Sequence, residues 1–144
     1  MNRDDIKVRV KGVATIVAGC GVFLESGEKI IAIFVDRDVG ASLALLVGGA
    51  TTPRPLTHET IGNILLGLDA KVEKVVVSDL KDDVFYARII VRQENELGKK
   101  VVDIDARPSD AIAIALQQNA PIFVSRSVWE EAEDMSFALR DEDG

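Results

Sequence analysis

The chain reads as an α+β domain, a mixed and largely antiparallel sheet with three to four helices. Three observations predict it. Segments at 7–18, 20–25, 29–35, 71–79, 84–93 and 102–106 carry strand-like alternation, whereas 36–47, 57–68 and 108–118 place apolar residues at helical spacing. The strands come in runs of three, each run ending in a helix, which is an α+β order rather than a strict strand–helix alternation. Finally, 47% of the 144 residues are hydrophobic but only 5% are aromatic, so the core must be built from Val, Ile, Leu and Ala.

The first three strands are separated by Gly19-Cys20-Gly21 and Ser26-Gly27-Glu28 and read as a meander. Asp36 to Val47 turns helical through Val39, Leu43, Leu46 and Val47, with Gly48-Gly49 as its stop. Thr57 suits the cap of a second helix, in which Ile61, Ile64, Leu65 and Leu68 recur at i, i+3, i+4 and i+7 and predict a buried stripe. A hairpin follows, its strands 71–79 and 84–93 joined through Leu80-Lys81-Asp82-Asp83.

The stretch from Asp103 to Ser125 carries most of the chemistry. Val102, Ile104 and Ala106 fall on one face of a strand, and Asp103 and Asp105 on the other, because strand side chains alternate. Arg107, Pro108, Ser109 and Asp110 come next. Pro suits a first helical turn, and Ser or Asp can accept from its unpaired N–H groups. Ala111 to Leu116 are all apolar, so this helix is predicted to be buried; Asn119 suits a left-handed cap and Pro121 ends it. A short strand and a last short helix around Trp129 complete the domain at about residue 132. An acidic tail, 133–144, follows, with 138–144 expected to fray.

A weak repeat accompanies this order. Asp36-Arg37-Asp38 and a helix recur as Asp105-Ala106-Arg107 and a helix, 69 residues on, which suggests an internal duplication with two acid-and-arginine corners near one axis.

The formal charge of −7 opposes phosphate binding at first sight. Seven acids and one base lie within 130–144, however, leaving 16 bases and 17 acids in 1–129, so the body is nearly neutral. One cysteine, Cys20, excludes an internal disulfide and fits a reducing, cytoplasmic setting. Basic residues ahead of Val13–Cys20 imitate a lipoprotein leader, but the alternation Val8-Arg9-Val10-Lys11 is that of a strand. No segment has the roughly 18–20 apolar residues of a membrane span.

Three separated blocks resemble the bacterial bifunctional nuclease family: RPSDAIAIAL followed by NAPIFVS, the stretch Pro53 to Glu59, and Ser78 to Asp82. The resemblance covers roughly residues 8–132. It implies a compact α+β domain, a homodimer or larger homo-oligomer, and cleavage of both DNA and RNA. Candidate residues for that chemistry come from the chain itself.

Asp103 and Asp105 suit a hard cation, Mg²⁺ or Mn²⁺, though a solvated strand face has the same pattern. His58, the only histidine, can take a proton from water or a ribose 2′-hydroxyl near neutrality, and equally can be an exposed first-turn residue. A two-histidine ribonuclease mechanism is excluded by count. Arg54, stiffened between Pro53 and Pro55, and Arg107 are candidates to face phosphate charge. Asp110 joins the candidate set, or else satisfies Arg107 and the helix start. Tyr86, Arg88, Ile90 and Arg92 share one strand face, which suits a single nucleic-acid strand or the border of a subunit contact. The resemblance thus implies a phosphodiesterase acting on DNA and RNA; the alternative is a non-catalytic homo-oligomeric interaction or nucleotide-binding module.

Overall fold

The computed structural model describes residues 4–16, 19–48 and 57–137. Seven strands form one mixed sheet: β1 (Ile6–Ile16), β2 (Gly19–Ser26), β3 (Lys29–Val35), β4 (Ala70–Lys81), β5 (Val84–Asn95), β6 (Gly98–Ala106) and β7 (Ile122–Val124). Four helices accompany them among the described residues: α1 (Arg37–Val47), α2 (Thr57–Gly67), α3 (Pro108–Gln118) and α4 (Arg126–Glu131). The strand order is β3-β2-β1-β7-β4-β5-β6, and every pairing is antiparallel except that of β4 with β7. This is the α+β architecture that the patterning predicts.

Each half is a three-stranded meander ending in a helix, β1-β2-β3-α1 and then β4-β5-β6-α3. The short β7 joins the halves. It pairs with residues 6–8 of β1 on one side and with Val75, Val76 and Val77 on the other. Hydrogen bonds from Val75 N–H to the Pro121 carbonyl and from Ser125 N–H to the Val77 carbonyl fasten both ends of β7 to β4.

Helix α3 is the hub of the core. Ala111, Ile112, Ala113 and Ala115 are no more than 1% exposed, because a helix apolar all round can be covered on every side by α1, α2, β4 and β5. Its small alanines let these neighbours approach. The helix ends as its sequence predicts, with Asn119 left-handed at φ 57° and its N–H bonded to the Leu116 carbonyl. Close approach also sets α1, where a Cβ on Gly40 would overlap the Cys20 side chain.

Other details depart from the patterning. The β4–β5 turn is tighter than predicted: only Asp82 and Asp83 lie outside the strands, with φ of 52° and 63°, as a two-residue hairpin turn requires. The stripe predicted to be buried on α2 is not. Ile61 and Leu65 are half-buried, but Ile64 is 57% and Leu68 56% exposed, and Gly62 is the buried residue of this helix. The reason is placement: α2 meets α3 at Gly62, against the Gln117 and Gln118 side chains, so a narrow strip of it touches the core. Thr57, where the described residues resume, already lies within the helix rather than capping it, and Gly49 lies outside the described residues, as does 138–144.

Beyond residue 132 the described chain lies against β3. Met135 N–H donates to the Ile30 carbonyl, Ile30 N–H donates to Asp134, and Met135 covers a small cluster of Phe23, Ile30 and Ala32. These bonds, from Ser136 N–H and Ile30 N–H, hold the Asp134 carboxyl below its usual range. The last short helix, α4, is capped by Ser125, whose hydroxyl accepts from Val128 N–H at 3.4 Å.

The burial of α3 makes a direct prediction. Ile112→Ala is expected to lower unfolding free energy by about 2–5 kcal/mol through lost transfer and an unfilled cavity, whereas Leu97→Ala, at a position 97% exposed, should change it by less than about 0.5 kcal/mol. Urea unfolding of the two variants against the wild type measures both.

Candidate active site

Three of the candidate residues meet at the start of α3. Residues of β6 lead into Arg107, whose extended backbone (φ −71°, ψ 145°) turns the chain, and Pro108 opens the helix with φ already set. The Arg107 side chain does not cap this end, and no side chain among the described residues does. The expectation that Ser109 or Asp110 would accept from its own first turn is therefore not met. Asp110 faces elsewhere: its Oδ2 accepts from Arg107 Nε at 3.0 Å, and its Oδ1 lies 3.2 Å from His58 Nε2 on α2.

One carboxylate thus joins an arginine three residues away and a histidine 52 residues away. Burial by itself pushes the Asp110 carboxyl upward, but the hydrogen bonds and charges of Arg107 and His58 outweigh it and hold the carboxyl below its ordinary value. Asp110 is therefore ionised at neutral pH and can only accept, so Nε2 of His58 carries the proton and Nδ1 is left as the basic nitrogen. The same contact raises the Arg107 guanidinium further, with help from Asp36. Arg107 spends only its Nε on this bond, and its side chain is 73% exposed, so its terminal N–H groups are open to an anion.

Asp103 and Asp105 do not join this group. Both project from the sheet face opposite α3, where Asp105 is paired in register with Arg88 and Asp103 holds the Arg88 Nε at 2.5 Å. Arg88 is raised by that bond and by the nearby charges of Asp105 and Asp79. A hard cation takes six or more oxygens, and a guanidinium already occupies this pair; among the described residues no three metal-binding side chains come together. Mg²⁺ or Mn²⁺ at this pair would have to displace the Arg88 guanidinium and take most of its shell from water. On the same face Arg92 is matched by Glu73 and Glu94 and Ile90 is buried, so the arginine row lies beside carboxylates. Arg54 lies outside the described residues.

A model of the bifunctional nuclease domain matches residues 22–136, a span that contains His58, Arg107 and Asp110. The chain belongs to the bifunctional nuclease domain family. Within that family it is 33% identical over 107 residues to an uncharacterized protein of Mycobacterium tuberculosis, covering 74% of this chain and 61% of that protein. It is also 24% identical over 105 residues to proteins called bifunctional nuclease in Oryza sativa subsp. japonica and Oryza minuta, covering 72% of this chain and 31% of each of those proteins. This member of the family therefore spans less than two thirds of the length of the curated relatives it matches.

The Asp110 network predicts how stability depends on pH. A carboxyl depressed by folding contributes stability that is complete above its unfolded value, about 3.9, and is lost as pH falls through the lower folded value. Asp110→Asn should therefore unfold at lower urea than the wild type near neutrality, with the two midpoints converging as pH drops below the ordinary carboxylate range. A gap that stayed constant down to about pH 2 would show that ionised Asp110 is not the source.

Proposed function

We propose that this chain cleaves phosphodiester bonds of DNA and RNA, with His58 as the proton acceptor, Asp110 as the residue that orients it, and Arg107 as the cation facing the charge that develops on phosphorus-bound oxygen. The observation that carries the reading is the shared Asp110 carboxylate, 3.2 Å from His58 and 3.0 Å from Arg107, in a chain of the bifunctional nuclease domain family. A base oriented by a carboxylate and a fixed cation beside it are the two parts that a phosphoryl displacement needs.

Water or a ribose 2′-hydroxyl attacks phosphorus. Its proton passes to His58 Nδ1, the bond from phosphorus to the leaving ribose oxygen breaks, and that oxygen takes a proton from solvent. Arg107 supplies paired N–H donors to the non-bridging oxygens as their charge rises. Asp110 keeps the ring in the productive tautomer and stabilises the imidazolium that forms. Arg54, three residues before Thr57 at the start of α2, is proposed as a second phosphate contact.

The buried thiol of Cys20 supports a reducing, cytoplasmic setting, and no helix among the described residues is long and apolar enough to cross a membrane. Exposed apolar side chains on α2 (Ile64, Leu66 at 76%, Leu68) and α1 (Leu45, Val47) support a homo-oligomer in which these helices meet a second copy. Leu66→Glu is expected to shift the mass measured by light scattering to that of the monomer; an unchanged mass would move the subunit contact to another face.

Cleavage of labelled single-stranded DNA and RNA by identically purified variants tests the reading. His58→Ala should lose about 10²–10⁴ in rate and Arg107→Ala about 10²–10³, while Asp105→Asn stays near wild type in EDTA. Equal rates in His58→Ala and wild type would refute the assignment. Activity that vanishes both in EDTA and in Asp105→Asn would transfer the chemistry to a cation on β6.

A further inference from the structure

Beside Arg107 a cleft of about 480 Å³ opens between the two halves, within the usual range of about 300–1,000 Å³ for small-molecule sites. Its floor and walls come from both corners that the repeat relates: Val35, Asp36 and Val39 after β3, and Arg107, Pro108 and Ser109 after β6. The β4–β5 hairpin closes a third side with Asp83, Val84 and Phe85. Phe34 stands at the mouth, 60% exposed although it is one of five phenylalanines in a chain poor in aromatic residues.

Two features beside Arg107 suit an anion. The first N–H groups of α3 have no acceptor within the helix, and no side chain caps them. Ser109, which lines the cleft from this turn, is only 8% exposed and is the buried polar residue among the described core, yet its hydroxyl has no hydrogen-bond partner among the described residues. No buried side-chain nitrogen or oxygen among the described residues is left unsatisfied, so this hydroxyl meets the solvent of the cleft and is open to a ligand there. Arg107 adds a cation to the same edge. Phe34 and Phe85 offer ring surface, and the Asp36 and Asp83 carboxylates, Asp36 near enough to raise the Arg107 guanidinium, offer acceptors to hydroxyl or amino groups.

We propose that this cleft binds one nucleotide, its phosphate on Ser109, Arg107 and the N-terminal turn of α3, and its base against Phe34 and Phe85. The choice of a nucleotide among aromatic phosphates rests on the nuclease reading; the cleft itself rests on its own geometry. A base received singly between side chains must be unstacked and unpaired, so the site selects single strands or strand ends over intact duplex.

Calorimetric titration with adenosine 5′-monophosphate, adenosine and inorganic phosphate tests the proposal without any cleavage. The monophosphate should bind one per chain, at least tenfold tighter than adenosine or phosphate. Phe34→Ala, at an exposed position that leaves the core intact, should weaken it about tenfold, and Ser109→Ala should weaken it severalfold. His58 does not line the cleft, so His58→Ala should bind the monophosphate as wild type does; a wild type that binds it but cleaves neither DNA nor RNA would sink the nuclease assignment and leave the cleft standing. No saturable binding, binding unaltered in folded Phe34→Ala and Ser109→Ala, or phosphate binding as tight as the monophosphate would each overturn the nucleotide site.

Discussion

Everything distinctive in this domain depends on burying α3 from all sides. Five consecutive residues, Ala111 to Ala115, have almost no exposed surface, and their small or branched side chains set how closely α1, α2, β4 and β5 can approach. The strand that follows is held by the same placement. β7 has only three residues, too few to anchor itself, and is fixed because α3 delivers it between β1 and β4, where both of its edges find partners. The hub therefore serves as core and as weld between two meanders that would otherwise be separate three-stranded sheets.

The same burial fixes the chemistry at the helix start. Since the helix cannot rotate, Asp110 must face the position that α2 presents, and α2 presents His58. Arg107, one residue before the helix, reaches the other oxygen of the same carboxylate. Desolvation works against the charged carboxylate and two donors work for it, with the donors prevailing. The carboxylates on β6 meet the opposite circumstance. They lie on an open sheet face near an edge, where a cross-strand arginine is their nearest counter-charge.

The twofold pattern of three strands and a helix gives the cleft its composition. Lys29 and Gly98, which open β3 and β6, lie 69 residues apart, and the corners that follow these strands line one cleft. The corners are not equivalent. One supplies Asp36 and the other Arg107, close enough for the carboxylate to raise the guanidinium, and the β4–β5 hairpin adds Phe85 without a counterpart of its own sequence in the first half.

Much of this was legible in the order of residues alone. Period-two and period-3.6 patterning located the strands and helices, Pro108 and Asn119 bounded α3, and an unbroken apolar run announced its burial, because these signals are local and act within a turn or a strand. The candidate list also contained His58, Arg107 and Asp110, since few residue types can exchange protons or hold phosphate. Their union was not legible. The 52 residues between His58 and Asp110 are closed by packing of α2 on α3, and the exposure of Ile64 and Leu68 in a helix of regular periodicity follows from that same docking at Gly62. Likewise Asp103 pairs with Arg88 because of hairpin register, and Ser109, Phe34 and Asp83 border one cleft only because the halves meet edge to edge. Local chemistry determined the elements and the reactive groups; which groups stand together is a property of long-range contacts, which the tertiary structure decided.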